Sequence, residues 1–295
     1  MRTILVAMSA LVFVTAVSSA EPDVAALQHI GAEIKQAGGM IIELKANCDK
    51  FGEAEYKLIG HVTTLKSLSL SGRAFRDEDL AALSGLTELE SILLNGTELS
   101  DDGYRHFAAF QQLKRLSLFH PSRDCKDFSG AGLAHLKVLP KLERLTFAGA
   151  TAGDEAFEAV GQLTQLKEFS EWHNWESPEA IKHLLKLPNI TALKIGQRLP
   201  ARGRPLTPSF DDATLSIIAQ MKSLERLDLQ EAKLSYEALA QLDELPKLRE
   251  LKAKWVDTPP QDIERLRQRL PTVKVEWEPL TDADRDTFLV NKLKL

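Results

Sequence analysis

Leu113-Lys114-Arg115-Leu116-Ser117-Leu118 repeats, 24 residues on, the pattern of Leu89-Glu90-Ser91-Ile92-Leu93-Leu94, which follows Leu65-Lys66-Ser67-Leu68-Ser69-Leu70 by the same interval. The L-x-x-L-x-L pattern recurs at Leu142-Leu145-Phe147, Ile190-Leu193-Ile195 and Leu224-Leu227-Leu229, and more weakly at Ile41-Leu44-Ala46, Leu166-Phe169 and Leu248-Leu251. Units start at 41, 65, 89, 113, 142, 166, 190, 224, 248 and 273, with spacings of 24, 24, 24, 29, 24, 24, 34, 24 and 25. A fixed period of this size marks a solenoid, in which each unit buries its apolar face only against its neighbours.

The rest of each unit keeps the register. With the first Leu as position 1, position 11 holds Phe51, Phe75, Leu99, Phe128, Phe210 and Leu234. Positions 16, 19 and 22 hold sets such as Tyr104, Phe107, Phe110 and Leu133, Leu136, Leu139, an i, i+3, i+6 spacing that suits one face of a short helix. Positions 4 and 6 alternate as a short strand does. Ser100, Ser129, Ser177, Asp211 and Ser235 at position 12 are helix-capping residue types, and Pro178 follows Ser177 at the first helical position. Each unit therefore reads strand, loop, cap, two-turn helix, return.

This register resembles the leucine-rich-repeat superfamily in its α/β horseshoe style, over residues 41 to 273. The resemblance implies an α/β solenoid of about nine coils, with parallel strands on a concave face, short helices on the convex face, and a main use in binding other proteins. One departure stands out. The family often has Asn or Cys at position 9, where this chain has Arg73, Thr97, Ala150, Asn174, Ala232 and Val256. The expectation is that backbone contacts hold the loops instead. Glu171 and Ala253 stand where position 6 wants a large apolar group, so coils six and nine are expected to be irregular.

Four segments follow. Residues 1–20 read as a signal peptide: Arg2, an apolar run from Ile4 to Val17, then Ser18-Ser19-Ala20. Export to the periplasm, cell surface or medium is the expected address, with no stable membrane insertion after cleavage. Residues 21–40 read as an N-terminal capping helix, with Val24, Leu27, Ile30 and Ile34 on one face. Residues 41–273 are the solenoid, and 274–295 a C-terminal cap in which Trp277, Phe288 and Leu289 supply apolar cover.

The chain of 295 residues is 44% apolar and 27% charged with 47 leucines, which excludes a disordered or disulfide-dense chain. A net charge of −5 argues against a general nucleic-acid binder, and none is expected as a partner. Cys48 and Cys125 would sit in a compartment where a disulfide can persist, and bridged and free states both stay open.

Catalytic motifs such as G-x-S-x-G, H-E-x-x-H, a glycine-rich phosphate loop or C-x-x-C are missing, and no cofactor is expected. The only nucleophile set to weigh is Cys125 with His120 and Asp124 or Asp127. His106, His135 and His183 fall on the convex side and read as solvated rather than metal-binding. The carboxylates at Asp77-Glu78-Asp79, Asp101-Asp102 and Asp211-Asp212 coincide with helix starts and read as caps.

Positions 3, 5 and 7 face away from the core. Phe119 and Trp172 stand at position 7, two coils apart across Ala148, with His120, His173 and Trp175 nearby. Aromatic residues anchor interfaces, which makes this the expected contact site. The competing reading turns Trp172 inward through a bulge beside Glu171. The longer loops of coils four and seven flank the pair, and the second carries Arg198, Arg202 and Arg204, suited to an acidic protein or acidic glycan. The expectation is thus an exported, non-enzymatic protein-binding module acting through the concave face and loop rim of coils four to seven. A carbohydrate- or matrix-binding surface module is the alternative.

Overall fold

A computed structural model of the chain describes residues 24–122, 125–198 and 208–293. The leader at 1–20, Asp124, Arg202, Arg204 and the side chain of Phe288 lie outside the described residues. Eleven strands form one open sheet in strict chain order: β1 (Glu33–Ala37), β2 (Met40–Asn47), β3 (Ser67–Ser71), β4 (Ser91–Asn95), β5 (Arg115–Phe119), β6 (Arg144–Ala148), β7 (Glu168–Trp172), β8 (Ala192–Ile195), β9 (Arg226–Gln230), β10 (Glu250–Lys254) and β11 (Lys274–Glu278). From β2 to β11 all pairings are parallel and in register, so that position 4 stacks Leu68, Ile92, Leu116, Leu145 and Phe169 in one column. A period of 24 puts chemically equivalent residues side by side, and any slip would send the buried column to the solvent face.

The helical segments lie opposite the sheet. They are wider than the roughly 4.8 Å between neighbouring strands, so the stack curves toward its strands and makes that face concave. Six short α-helices alternate with 3₁₀ segments at Asp102–Ala109, Ala131–Val138, Pro178–Lys186 and Gln241–Glu244. In coils three, four and six the expected two-turn helix is 3₁₀, a geometry in which side chains three apart eclipse. Tyr104, Phe107 and Phe110 all aim into the core and are fully buried.

Both ends depart from the expected caps. The capping helix expected within 21–40 is cut to α1 (Val24–His29), and the chain then forms β1, antiparallel to β2. The reason is Gly38-Gly39: both take positive φ, +57° and +82°, and close a two-residue hairpin between Ala37 and Met40. Leu27 is still fully buried, and Val24, Ile30 and Ile34 pack on the core. At the other end the solenoid does not stop at 273. β11 adds a tenth parallel strand, and residues 282–293 wind into a short helix that buries Leu289 at 2% exposure.

Cys48 and Cys125 are free thiols. They sit three coils apart, about 14 Å of strand spacing, beyond the roughly 7 Å that a bridge spans between Cα atoms. Cys48 instead donates its thiol to the Ser71 carbonyl at 3.1 Å, and burial raises its pKa.

The expected irregularity at Glu171 and Ala253 is absent, because β7 and β10 hold the common register with Phe147 opposite Glu171 and Ala253 opposite Trp277. The loops are tied as expected by backbone bonds. The amides of Cys48, Gly72, Gly96, His120 and Gly149 each donate to a carbonyl one coil on, at 2.7 to 3.0 Å.

A second ladder was not anticipated. The carboxylate at position 13 accepts from the Ser at position 12 of the next coil. Asp77 takes the Ser100 amide at 2.9 Å, Asp154 takes Ser177 at 2.7 Å, and Asp212 takes Ser235 at 2.9 Å. Asp101 takes four bonds, from the Ser129 amide and hydroxyl and from the Gly130 and Gly132 amides. These acids bind neighbouring coils together rather than capping their own helices. Among the position-12 residues, Ser100, Asp211 and Ser235 each accept the amide three residues on.

Candidate interaction site on the sheet face

The strand β7 is unbulged, so Trp172 does not fill the core. It is half-buried on the concave face, as is Phe119 on β5. Two strand spacings separate them, about 9.6 Å, yet their ring centroids lie 6.0 Å apart. The small side chain of Ala148 lets the rings lean together over it, which leaves Ala148 only 2% exposed. On the other side of Trp172, Gly196 is required by close approach: a Cβ there would sit 2.8 Å from the Trp172 Cβ. Lys194, half-buried in β8, places its ammonium 4.3 Å from the Trp172 ring centroid, a cation–π contact. Asp228 on β9 is partly buried, and its desolvation raises its pKa while Lys194 pulls it down.

In seven coils position 8 ends the strand with a positive φ. Gly72, Gly96 and Gly149 occupy it in three coils, but His120, His173, Glu231 and Trp255 take φ of 45°, 59°, 59° and 53° in four others. Each of those side chains costs roughly 1 kcal/mol of backbone strain relative to Gly. The two histidines are therefore one column of the site, separated by Gly149. The Nδ1 of His120 lies 3.0 Å from the Asn95 side-chain oxygen. His173 spans coil seven, where Gln197 turns inward at 1% exposure, and brings Nε2 to 2.6 Å from Glu231 Oε2. Glu231 and Trp255 went unnoticed in the sequence. The signal was present in a position-8 column that switches from Gly to bulky polar or aromatic residues.

Other expected site residues fare differently. Trp175 is half-buried at position 10, its amide bonded to the Ala152 carbonyl at 3.0 Å. Arg198 is turned back onto the solenoid, with Nη1 3.2 Å from the Glu176 carbonyl and its amide 3.0 Å from Ser209 Oγ. It ties down the root of its loop. Among the described residues no three His, Cys, Asp or Glu side chains could hold a metal ion, and no helix is long and apolar enough to cross a membrane.

The left-handed column permits a clean test. His120 is exposed, so His120→Gly removes the side chain and relieves strain at once. The unfolding free energy should change by no more than about 1 kcal/mol in either direction, and any lost binding then reports the imidazole alone.

An unbroken parallel register on a 24-residue repeat, with an open concave sheet and helices behind it, gives this chain the fold of a leucine-rich-repeat solenoid of the α/β horseshoe style. No protein-family profile and no curated protein matches it. Similar solved structures include an internalin from Listeria monocytogenes, 15% identical with a TM-score of 0.30, covering 88% of this chain and 93% of that one. A Bacteroides fragilis protein is 13% identical with a TM-score of 0.47, covering 73% of this chain and 66% of that one. TLR13 in its ssRNA13 complex is 14% identical with a TM-score of 0.47, covering 81% of this chain and 32% of that one.

Proposed function

We propose that this protein is an exported, non-enzymatic module that binds another protein through the concave face and loop rim of coils four to seven. The observation that carries the reading is the half-exposed Phe119–Trp172 pair, 6.0 Å between centroids, on a sheet face that is otherwise, Leu93 apart, lined mainly by small, polar and charged side chains. Around it stand His120, His173 and Glu231, held in left-handed backbone that would be less strained with glycine. Large rigid aromatics framed by polar groups provide the desolvated anchor that protein interfaces concentrate their energy on. Ion pairs flank the aromatic patch, with Glu168 bridging Arg144 at 3.2 Å and Arg226 at 2.8 Å, and supply a charged rim that sets specificity more than affinity. The export half of the proposal rests on the leader pattern at residues 1–20.

The carbohydrate alternative is less favoured by the same geometry. A sugar ring would stack on an open indole face, and Lys194 already covers one face of Trp172.

The test is affinity capture with residues 21–295 as bait, beside a folded Trp172→Ala bait. Retention of a protein should fall at least roughly 30-fold for the variant, as expected for loss of about 2 kcal/mol at a hot spot, while its melting temperature stays within a few degrees. Equal capture by both baits would move the site elsewhere, and capture of glycans alone would promote the alternative.

A further inference from the structure

Coil six is built differently from its neighbours inside as well as on its surface. At position 6, where flanking coils have Phe147 and Ile195, it has Glu171. At position 11, where others have Phe75, Phe128, Phe210 or Leu234, it has Glu176. Both are fully buried, and between them Asn174 is fully buried too. Glu171 Oε2 accepts from the Asn174 amide at 3.3 Å, while its Oε1 and both Glu176 oxygens lack a well-formed hydrogen bond. Two buried carboxyls so weakly hydrogen-bonded in one coil of a solenoid core are costly if either is ionised.

These groups lie directly behind the proposed contact surface. Glu171 precedes Trp172 in β7, and Asn174 and Glu176 bracket Trp175. Coil seven meets them through Arg198, whose Nη1 lies 3.2 Å from the Glu176 carbonyl. We propose that Glu171 and Glu176 form a proton-operated latch: protonated, they keep the loop edge of coil six closed on coil seven and hold Trp172 and His173 in place, and losing a proton opens that edge. The opening is independent of what binds there. Only its meaning as regulation of binding rests on the function proposed above.

The electrostatic surroundings support the direction. Burial, then the neighbouring Glu176, pushes Glu171 well above the usual carboxylate range. Burial pushes Glu176 up to about 7, with Ser209, its own backbone amide and Arg198 drawing it back and Asp154 adding to the rise. Among the described residues, the charged groups facing the pair are Glu231, itself held by His173, and Asp154, with Arg198 as the opposing cation. In the unfolded chain both carboxyls titrate near their ordinary value of 4.5. Folded, they keep protons to higher pH, so the stabilisation is full below that value and is lost as pH rises through about 7. The surface acids Glu53, Glu90 and Glu276 are shifted downward by their lysine partners and titrate outside this window.

The test is amide hydrogen exchange in the full mature chain between pH 6 and 8.5, with intrinsic exchange divided out. Protection at residues 171–177 should fall at least about tenfold over that range in the native chain and stay flat in Glu171→Gln/Glu176→Gln. The single Glu176→Gln change should raise the melting temperature at pH 8 by roughly 2–4 °C per kcal/mol regained. A flat native profile, or the same loss of protection in the double variant, would overturn the latch. So would a profile abolished by His173→Gln but not by the glutamine pair, which would make the histidine the titrating group. Protection restored at pH 8.5 by calcium or magnesium and removed by chelator would make the pair a cation site instead. If exchange switches as expected while Trp172→Ala leaves partner capture unchanged, the latch stands and the contact-site reading fails.

Discussion

Asp101→Ala should lower the unfolding free energy by about 3–5 kcal/mol, measured by urea denaturation with an unchanged m-value. That is a large effect for an acid on the surface side of a loop. One carboxylate accepts four bonds: Oδ2 from the Ser129 amide at 2.7 Å and its hydroxyl at 2.8 Å, Oδ1 from the Gly130 amide at 3.0 Å and the Gly132 amide at 2.9 Å. Hydrogen bonds to a charged acceptor contribute roughly 1.5–3 kcal/mol each, and removal leaves three backbone donors with nothing in the chain to bond. Water will recover part of that where the loop is open. Because Asp101 belongs to coil three and its donors to coil four, the loss should appear as cooperative separation of those coils. Asp154→Ala, with two acceptors' worth of bonds to Ser177, should cost less. A cost below about 1 kcal/mol for Asp101→Ala would show that the ladder contributes little.

Asn174→Ala should destabilise by a comparable 3–4 kcal/mol for a different reason. Asn174 is fully buried, donates to the Phe147 carbonyl at 2.9 Å and accepts the Ala150 amide at 3.0 Å. It is also the group that partners Glu171. Truncation orphans a buried donor, a buried carbonyl and the last satisfied oxygen of Glu171, and each buried unsatisfied group costs about 1–3 kcal/mol. Hydrogen exchange should place the damage in coils five and six and leave coils one to three protected. Asn174→Asp should be nearly as harmful, since it supplies an acceptor where the Phe147 carbonyl needs a donor. Near-native melting of Asn174→Ala would mean that the coil tolerates a wet core and would weaken the account of its polar interior.

Much of the architecture was legible because a solenoid is close to one-dimensional. Each residue meets its equivalent 24 positions on, so Leu68, Ile92 and Leu116 could be assigned to one buried column by counting. The ends were less legible. A capping element has no equivalent coil to be compared with, and the helix expected within 21–40 gave way, past His29, to a hairpin set by two glycines. The aspartates at position 13 were visible as a recurring type, but their partners lie one coil away on a different position number, and only packing reveals which donors they meet.

The sequence by itself determined the repeat, the strand register and the apolar columns, since these follow from period and alternation alone. Tertiary structure decided what chemistry the site contains. Phe119 and Trp172 close over Ala148 because side chains lean across strands, and His173 reaches Glu231 across 58 residues because coil seven turns Gln197 inward. Arg198, read as a free basic contact, is spent on the Glu176 carbonyl. Glu171, read as a flaw in the repeat, is an unbroken part of its sheet with its carboxyl inside the core. A period dictates where a side chain starts, whereas its partners depend on how far it reaches and on the space its neighbours leave.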